Sequence, residues 1–466
     1  MGPLLDHFRC PDDLGQLRGP ERPMGPAQFF QLGPEITLFG QLTAGVDGCE
    51  NLPADVLRAV KFSNGSCRLP FDPDEVINNL LFEHYPGAGQ PAGAGPVWRQ
   101  VASAAYYAVR PMLPVAVRKH LQRSVVGRSR QAAAHFPSWP IDTTVERTLD
   151  QLLLLAMRAR GLERAPFIWF WPDGYASAVT MTHDVETEEG RDFASTLMDL
   201  DERYGLRASF QVIPERRYTV PESWRAEIRR RGFEINVHDL NHDGRLFSNK
   251  EEFLRRAERI NAYGQQWGAR GFRSGVLYRN LDWFGALRFD YDMSLPNGGH
   301  FHPQAGGCCA VRPYFIGDMV ELPGTAAQDY ILFQILDDYS TRVWEQQLDA
   351  IAATHGLMCF SVHPDYLIPP RARNVFERLG EILAEERRRG ARWFALPGEI
   401  SQWWRQRHAM RLCAEGGGWR IEGAGAERAR VAYAEMHDGR LHYVLPAAGG
   451  ARPEPAAARQ ASPLCP

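Results

Sequence analysis

Several features that define common protein classes are scarce in this sequence of 466 residues. Only three of the 53 cationic residues are lysines, and 56 acidic residues leave a net charge of −3. A chain without a basic excess lacks the electrostatic attraction on which binding to nucleic acid or to an anionic membrane depends. We therefore expect neither partner.

Cysteine pairs of the C-x-x-C type are absent among the eight cysteines, which argues against a zinc ribbon or a dithiol redox motif. Cys308 and Cys309 are adjacent in the chain. We expect free thiols there rather than a bridge, as is usual in a reducing compartment.

Long apolar segments are missing as well. The longest, around Leu152–Met157, is far shorter than the ~20 residues that a membrane-spanning helix needs. The first residues contain neither the basic region nor the apolar core of a signal peptide. These absences predict a cytoplasmic protein with no transmembrane segment.

The composition that remains is ordinary for a globular protein, with 44% hydrophobic and 23% charged residues. At roughly 150 residues per domain, the length predicts two or three domains, or one large barrel with extensions. The sequence pattern divides into a mainly helical or irregular region over 1–168, a strand–helix region over 169–405, and a small β extension with a disordered tail over 406–466.

The first region contains one clear helix pattern, Thr144–Arg160, with leucines at core spacing. The Pro/Gly/Ala-rich segment Tyr85–Pro96 predicts a loop or linker. Arg110–Arg123 is basic and amphipathic, which predicts a helix packed on the next domain, with contact to a membrane surface as the alternative.

The central region alternates short β-type runs with helical runs, which is typical of a parallel sheet or barrel. Seven or eight strands in about 230 residues favour a (β/α) barrel. The expected strands are 178–184, 209–213, 233–238, 271–273, 292–294, 320–322, 357–363 and 393–396. The expected helices include 223–231, 250–267 and 343–355, the second with a capping box of Ser248 and Glu251. In the last region, 419–422 and 441–445 are expected to form two strands around the Asp438-Gly439 turn.

In a barrel, catalytic groups lie at the carboxyl ends of the strands. The first strand ends Thr-His-Asp-Val-Glu at 182–186. Since alternate residues of a strand point to the same side, Asp184 and Glu186 can enter one site while His183 and Val185 face away. The alternative is that these acids only cap the following helix.

The third strand is followed by His238 and His242, two imidazoles at i and i+4 that can bind one metal if the segment turns helically. Two histidines, one carboxylate and an open position form a catalytic metal site. Arg273, at the end of the fourth strand, can keep a carboxylate ionised. His363, at the end of the seventh, can be a general acid oriented by Asp365.

In this order, these residues resemble the motifs of the polysaccharide deacetylase superfamily, the NodB-homology domain of carbohydrate esterase family 4. Thr182–Glu186 and His238–His242 correspond to its first two motifs, Arg273 to the third, Glu321–Pro323 to the fourth, and His363 to the fifth. The resemblance covers about half the chain. It implies a distorted (β/α)7-8 barrel, of the glycoside hydrolase and deacetylase type, that removes acetyl groups from amino sugars with a divalent metal.

Two departures from the family pattern change the expected roles. The first motif reads Asp-Val-Glu where the family usually has two adjacent aspartates, so the resemblance implies that Glu186, His238 and His242 hold the metal and Asp184 is the base. His363 is then the acid, and Arg273 orients Asp184. The third motif reads R-S-G-V instead of R-x-P-Y, which changes the expected substrate groove.

The expected function is therefore metal-dependent hydrolysis of an acetyl or similar acyl group from an acylated sugar or glycan precursor. Zinc is the expected metal, with cobalt, nickel and manganese as alternatives. A backbone N–H, that of Val276, is the candidate for stabilising the oxyanion. Tyr278, Trp283 and Tyr366 are either sugar-stacking residues or packing residues. Two other interpretations remain open: hydrolysis of a small non-sugar amide by the same barrel, and a non-catalytic carbohydrate-binding or scaffold protein.

Overall fold

The computed structural model describes residues 2–15, 17–20, 25–43, 55–63, 65–88 and 136–446. In the first part of the chain, short helices stand beside two small sheets. Its elements are α1 (Pro3–Phe8), β1 (Leu17–Arg18), β2 (Gln28–Gln31), β3 (Thr37–Gly40), β4 (Lys61–Ser63), β5 (Ser66–Arg68), α2 (Pro73–Leu81) and α3 (Thr144–Arg160). The strands form a β1-β5-β4 sheet and a β2-β3 hairpin, so this region has more β structure than its sequence pattern indicates.

Helix α3 has the bounds that the leucine spacing predicts. It buries its leucines, and Gly161 ends it in the left-handed conformation with a φ of 65°. The basic amphipathic segment 110–123 and most of the linker 85–96 lie outside the described residues.

The strand–helix region is confirmed as an α/β barrel. Its strands are β7 (Ser177–Val185), β8 (Ala208–Val212), β9 (Glu234–His238), β10 (Gly271–Arg273), β11 (Tyr291–Asp292), β12 (Tyr314–Ile316), β13 (Met319–Glu321), β14 (Leu357–Val362) and β15 (Arg392–Phe394), preceded by β6 (Arg164–Ile168). Its helices are α4 (Glu188–Arg203), α5 (Glu222–Arg230), α6 (Lys250–Trp267), α7 (Arg342–Ala353), α8 (Pro370–Arg389) and α9 (Pro397–Ala409).

The strands form one curved sheet in the order β12-β13-β11-β10-β9-β8-β7-β14. All neighbours are parallel except β12, which forms an antiparallel hairpin with β13. The short β15 also runs parallel to β7, beside its first residues. Each of the eight predicted strands is present, with ends that differ by a few residues.

The barrel is distorted because no regular strand pairing joins β13 to β14 among the described residues. The irregular segment after β13 makes the connection. The N–H of Ala326 donates to the carbonyl of Cys359 (3.2 Å). The hydroxyl of Thr325 donates to the carbonyl of Leu357 (2.7 Å) and accepts from the N–H of Cys359 (2.8 Å). A side chain thus replaces part of a strand ladder.

Helix α6 begins at the predicted residue, but the predicted cap is wrong. The N-cap is Asn249, whose side chain accepts the N–H of Glu252 at 2.9 Å. Asn and Ser are nearly equal as capping residues, so the one-residue difference leaves no sequence signal to separate them.

The end of the described chain forms two hairpins rather than one. They are β16 (Arg411–Glu415) with β17 (Gly418–Glu422), and β18 (Val431–His437) with β19 (Arg440–Val444). The Asp438-Gly439 turn is confirmed, but its two strands are β18 and β19, so the expected partnership of 419–422 with 441–445 is wrong. The tail after 446 lies outside the described residues.

Strand β6 joins the second of these hairpins, β18–β19, to the rest of the molecule. It pairs antiparallel with β18, from Arg164↔Glu435 to Val431↔Ile168. The three-part division of the chain stays a prediction, and this pairing crosses its two boundaries. None of the described helices combines the length and apolar character needed to cross a bilayer.

Candidate active site

The first barrel strand places two carboxylates on one side of the sheet. Every residue of β7 is buried, as is usual for a strand inside a parallel sheet. His183 points outward, where its Nε2 lies 2.9 Å from Asp201 Oδ2 on helix α4. Asp184 points into the barrel, and Glu186 follows the strand end on the same side. The alternation that the sequence predicts is thus present.

Asp184 is held by neighbouring strands. Nη1 of Arg273 donates to its Oδ1 (2.6 Å), and the hydroxyl of Ser361 donates to its Oδ2 (3.0 Å). Both members of the Asp184–Arg273 pair are almost fully buried. Burial by itself raises the pKa of Asp184, but the attraction of Arg273, with smaller contributions from His238 and His363, outweighs burial and leaves that pKa below its ordinary value. Asp184 is therefore an ionised acceptor at neutral pH.

His238 and His242 meet without the helical turn that the i, i+4 spacing requires. The chain between them bends irregularly, and both Asp239 and His242 have positive φ values, 56° and 51°. The two ring centroids are 4.9 Å apart. Two residues in the left-handed backbone conformation thus bring the two imidazole rings together within a loop.

Glu186, His238 and His242 form a cluster whose ligand atoms all lie within 4.8 Å of one another. Glu186 Oε1 is 2.9 Å from His242 Nε2 and 3.7 Å from His238 Nε2. Within the described residues, no other group of three His, Cys, Asp or Glu side chains has this spacing.

The cluster fits a divalent metal. The Nδ1 of His238 donates to the carbonyl of Arg273 (3.1 Å), which fixes the tautomer with the Nε2 lone pair facing the cluster. The Nε2 atoms of His238 and His242 are both buried, and neither makes a well-aligned hydrogen bond, although Glu186 Oε1 lies 2.9 Å from the Nε2 of His242. Buried nitrogens without partners are costly unless something binds them. Two imidazoles and a carboxylate are the ligand set of a catalytic zinc site.

His363 completes the group from the end of β14. Its Nε2 lies 3.5 Å from Glu186 Oε1 and 4.0 Å from Asp184 Oδ2. Its Nδ1 lies 2.6 Å from Asp329 Oδ1, and its backbone N–H donates to Asp329 Oδ2 (2.8 Å). Burial lowers the pKa of His363, but the carboxylate of Asp329 and, to a lesser extent, that of Glu186 raise it well above its ordinary value.

The sequence-based choice of Asp365 to orient His363 is wrong, because Asp329 does so. The choice assumes that the strand continues through Pro364. The chain instead enters a short turn over Pro364–Leu367, which ends the two-residue alternation. Burial raises the pKa of Asp365 to about 6. Asp329 precedes His363 by 34 residues and lies on no strand, so only the fold brings them together.

Glu321, in the segment assigned to the fourth motif, lies away from this group. It pairs in register with Asp292. Its Oε1 accepts the N–H of Leu295 (3.0 Å), and burial, followed by repulsion from Asp292, raises its pKa well above the ordinary value. It therefore supports the turn after β11.

The three predicted aromatic residues have different surroundings. Tyr366 packs on His363, with ring centroids 5.0 Å apart, and stacks on Tyr330 at 6.2 Å. Trp283 packs against Phe247 and Phe253, which indicates a packing role. Tyr278 follows the turn that contains Val276, a residue with a φ of 61°.

No protein-family model matches the sequence, and no curated protein matches it either. Among solved structures, the chain is similar to a candidate polysaccharide deacetylase from Mycobacterium smegmatis, with 21% identity over 51% of this chain and 93% of that one, and a TM-score of 0.41. It is also similar to an allantoinase, with 12% identity over 50% and 92% and a TM-score of 0.39. A third is a family 4 acetyl xylan esterase from Clostridium thermocellum, solved with a cobalt ion, with 19% identity over 49% and 91% and a TM-score of 0.31.

Proposed function

We propose that this protein is a metal-dependent hydrolase that removes acetyl or similar acyl groups from an amino sugar or glycan precursor. One observation carries the proposal. An ionised carboxylate held by an arginine, a protonated imidazole held by a second carboxylate, and a cluster of metal-ligating atoms converge at one end of the barrel. His363 Nε2 lies within 4.0 Å of both Asp184 and Glu186.

Glu186, His238 and His242 would hold the metal, and zinc is the ion that we expect, with cobalt, nickel or manganese as alternatives. When bound, a divalent ion supplies Lewis acidity, which polarises a carbonyl and makes water nucleophilic near neutral pH. The side chain of Glu186 is partly exposed, at 27%, so the cluster is reachable from outside.

Asp184 acts as the base in this proposal. Its carboxylate takes a proton from the attacking water, and Arg273 and Ser361 hold it so that Oδ2 keeps the orientation seen here. Because Arg273 keeps the pKa of Asp184 low, the base is available over the whole neutral range.

His363 acts as the acid. An amine leaves an acyl group only when it receives a proton, and the raised pKa of His363 keeps the proton available on the Nε2 side. Asp329 holds the opposite ring nitrogen, so the ring cannot turn away. Asp329 is therefore a positioning residue. Tyr366, packed on His363, is the aromatic side chain best situated to meet a sugar ring.

The substrate class is tested with the zinc-loaded protein by measuring two reactions, the release of acetate from acetylated sugars and the ring opening of cyclic amides. The panel contains acetamido sugars, O-acetylated sugars and small cyclic amides, with the Asp184→Asn variant as the control. Acetate release from acetylated sugars, lost in the variant, supports the proposal. Hydrolysis of cyclic amides alone makes the barrel an amidohydrolase of another substrate class. Binding of sugars without any hydrolysis makes it a carbohydrate-binding protein.

A further inference from the structure

A second cleft lies at the other end of the barrel. Its volume is about 390 Å³, within the range of small-molecule sites. It is lined by the first residues of α3, the β12–β13 hairpin and the last turn of α9. Asp318, in its wall, immediately precedes the first residue of β13, whereas the catalytic candidates lie at or just after the carboxyl ends of their strands. The cleft is therefore separate from the candidate active site.

One side of this cleft is rich in arginine. Arg312 is buried and directs its Nε to the carbonyl of His355 (3.2 Å) and its Nη1 to His7 Nε2 (2.5 Å). Arg405 contacts the carbonyl of Asp290 through Nη2, and its Nε is buried without a partner. Arg407 lies behind them and binds backbone carbonyls only.

These three guanidinium groups have no carboxylate within ion-pair distance in the part of the chain that the structure describes. Backbone carbonyls satisfy hydrogen bonds but do not neutralise a full charge. The burial of Arg407, together with repulsion from Arg9 and Arg312, lowers its pKa well below the ordinary value, which reflects this uncompensated charge.

Three acidic groups line the same cleft, but they compensate this charge incompletely. Asp6 is paired with Arg9 at 3.5 Å. Asp318 lies in the hairpin turn. Glu146 is buried, and its Oε1 accepts the backbone N–H groups of Val311 and Arg312, while Oε2 has no partner. Burial raises the pKa of Glu146 to about 7, so this carboxyl is only partly ionised near neutral pH.

The remaining walls are apolar and include flat side chains. Phe82, Leu149, Phe315 and Trp404 line the cleft. The Phe315 ring centroid lies 5.8 Å from the guanidinium carbon of Arg405. An aromatic surface beside a guanidinium that has no carboxylate partner suits a ligand that combines a flat apolar body with a negative group.

We propose that this cleft binds a small amphipathic anion, a molecule with a flat apolar body and one carboxylate, sulfonate or phosphate group. The anion lies near Arg405 and Arg312, and the apolar body lies against Phe315 and Trp404. The site does not depend on the catalytic proposal, because it shares no residue with the candidate active site.

The test uses three probes that have one ring system and different charges: 1-naphthalenesulfonate, 1-naphthalenemethanol and 1-naphthylmethylammonium. Each is titrated calorimetrically into the full-length protein. We expect the sulfonate to bind about tenfold or more tightly than the alcohol, the size of one charge-assisted hydrogen bond. The ammonium compound should bind most weakly.

Two variants locate the binding. Arg405→Gln should remove the preference for the sulfonate, while the matched control Arg388→Gln, an exposed arginine on α8, should retain it. Asn78→Trp, an exposed position at the edge of the cleft, should weaken all three probes without threatening the fold. Equal binding of the three probes, tightest binding of the ammonium compound, or sulfonate binding unchanged in both Arg405→Gln and Asn78→Trp would overturn the proposal.

Discussion

Two buried histidine–aspartate pairs lie on opposite faces of the same part of the sheet, and their differences separate a structural pair from a chemical one. His183 faces outward, with Nε2 at Asp201 (2.9 Å) and Nδ1 at the carbonyl of Val362 (3.3 Å), so both ring nitrogens are occupied. His363 faces inward and uses only Nδ1, on Asp329. Its Nε2 is directed at Asp184 and Glu186.

The comparison teaches that burial and an aspartate partner do not by themselves mark a functional histidine. Both rings are buried to a similar degree. What distinguishes His363 is its second ring nitrogen, Nε2, which faces the carboxylates of Asp184 and Glu186 beside the cluster of metal-ligating atoms. We call the side of the sheet that carries Asp184 and His363 the inner face, and the side where His183 meets Asp201 the outer face. Substitutions on the inner face should therefore change turnover, and substitutions on the outer face should change stability.

The largest expected effect is on the inner face at Asp184. Asp184→Asn removes the proposed base while keeping the shape of the side chain, so turnover should fall by up to about 10⁴-fold and bound metal should remain. Asp201→Asn on the outer face is the matched control and should keep the turnover of the folded enzyme. If Asp184→Asn also loses its metal, then Asp184 is a ligand and not the base.

The second effect concerns His363. His363→Ala should slow hydrolysis of an acetamido sugar by about 10²–10⁴-fold and of an aryl acetate by much less, because the activated leaving group departs without a proton. Rates on both substrates, measured with one preparation, give the comparison. An equal loss on both would mean that His363 positions substrate or supports the fold.

The sequence predicts the site residues of the inner face better than it predicts the residues that hold them in place. Strand alternation puts Asp184 and Glu186 together, and the strand ends identify Arg273, His238, His242 and His363, because these signals are local or follow from parallel strand order. Asp329 has no such signal. It reaches His363 from the N-cap of a short π-helix over Tyr330–Leu336, between β13 and α7, while the neighbour in sequence, Asp365, turns away after Pro364.

The fold shows the same limit. The eight strands follow from local pattern, but the closure by Thr325 and Ala326 is made by residues without β periodicity. The Asp438-Gly439 turn is the sequence signal for the hairpin of β18 and β19, whereas the pairing of β18 with β6 joins distant segments and has no such signal.

The third effect sharpens the role of Asp329. Asp329 raises the pKa of His363, and His363 can act as the proposed acid only when it is protonated, so activity should fall as the pH rises through that pKa. Asp329→Asn lowers the pKa of His363 and should move the alkaline limb of the kcat profile to lower pH. Asp365→Asn should move it far less. Coincident profiles of the wild type and Asp329→Asn would show that Asp329 does not tune His363.

The smallest effect is on the outer face. Asp201→Asn leaves a buried imidazole nitrogen poorly paired and should lower the free energy of unfolding by about 1–3 kcal/mol. Urea denaturation of the metal-free protein measures this difference. A stability unchanged from the wild type would mean that the His183–Asp201 pair contributes nothing to the fold.

The metal cluster is the central claim, since every inner-face role depends on it. The direct measurement is elemental analysis of the protein dialysed against zinc, for the wild type, His238→Ala and the outer-face control Asp201→Asn. We predict about one equivalent of zinc in the wild type and in the control, and none in His238→Ala, because two ligands do not make a catalytic site. Equal zinc content in the wild type and His238→Ala would contradict the account.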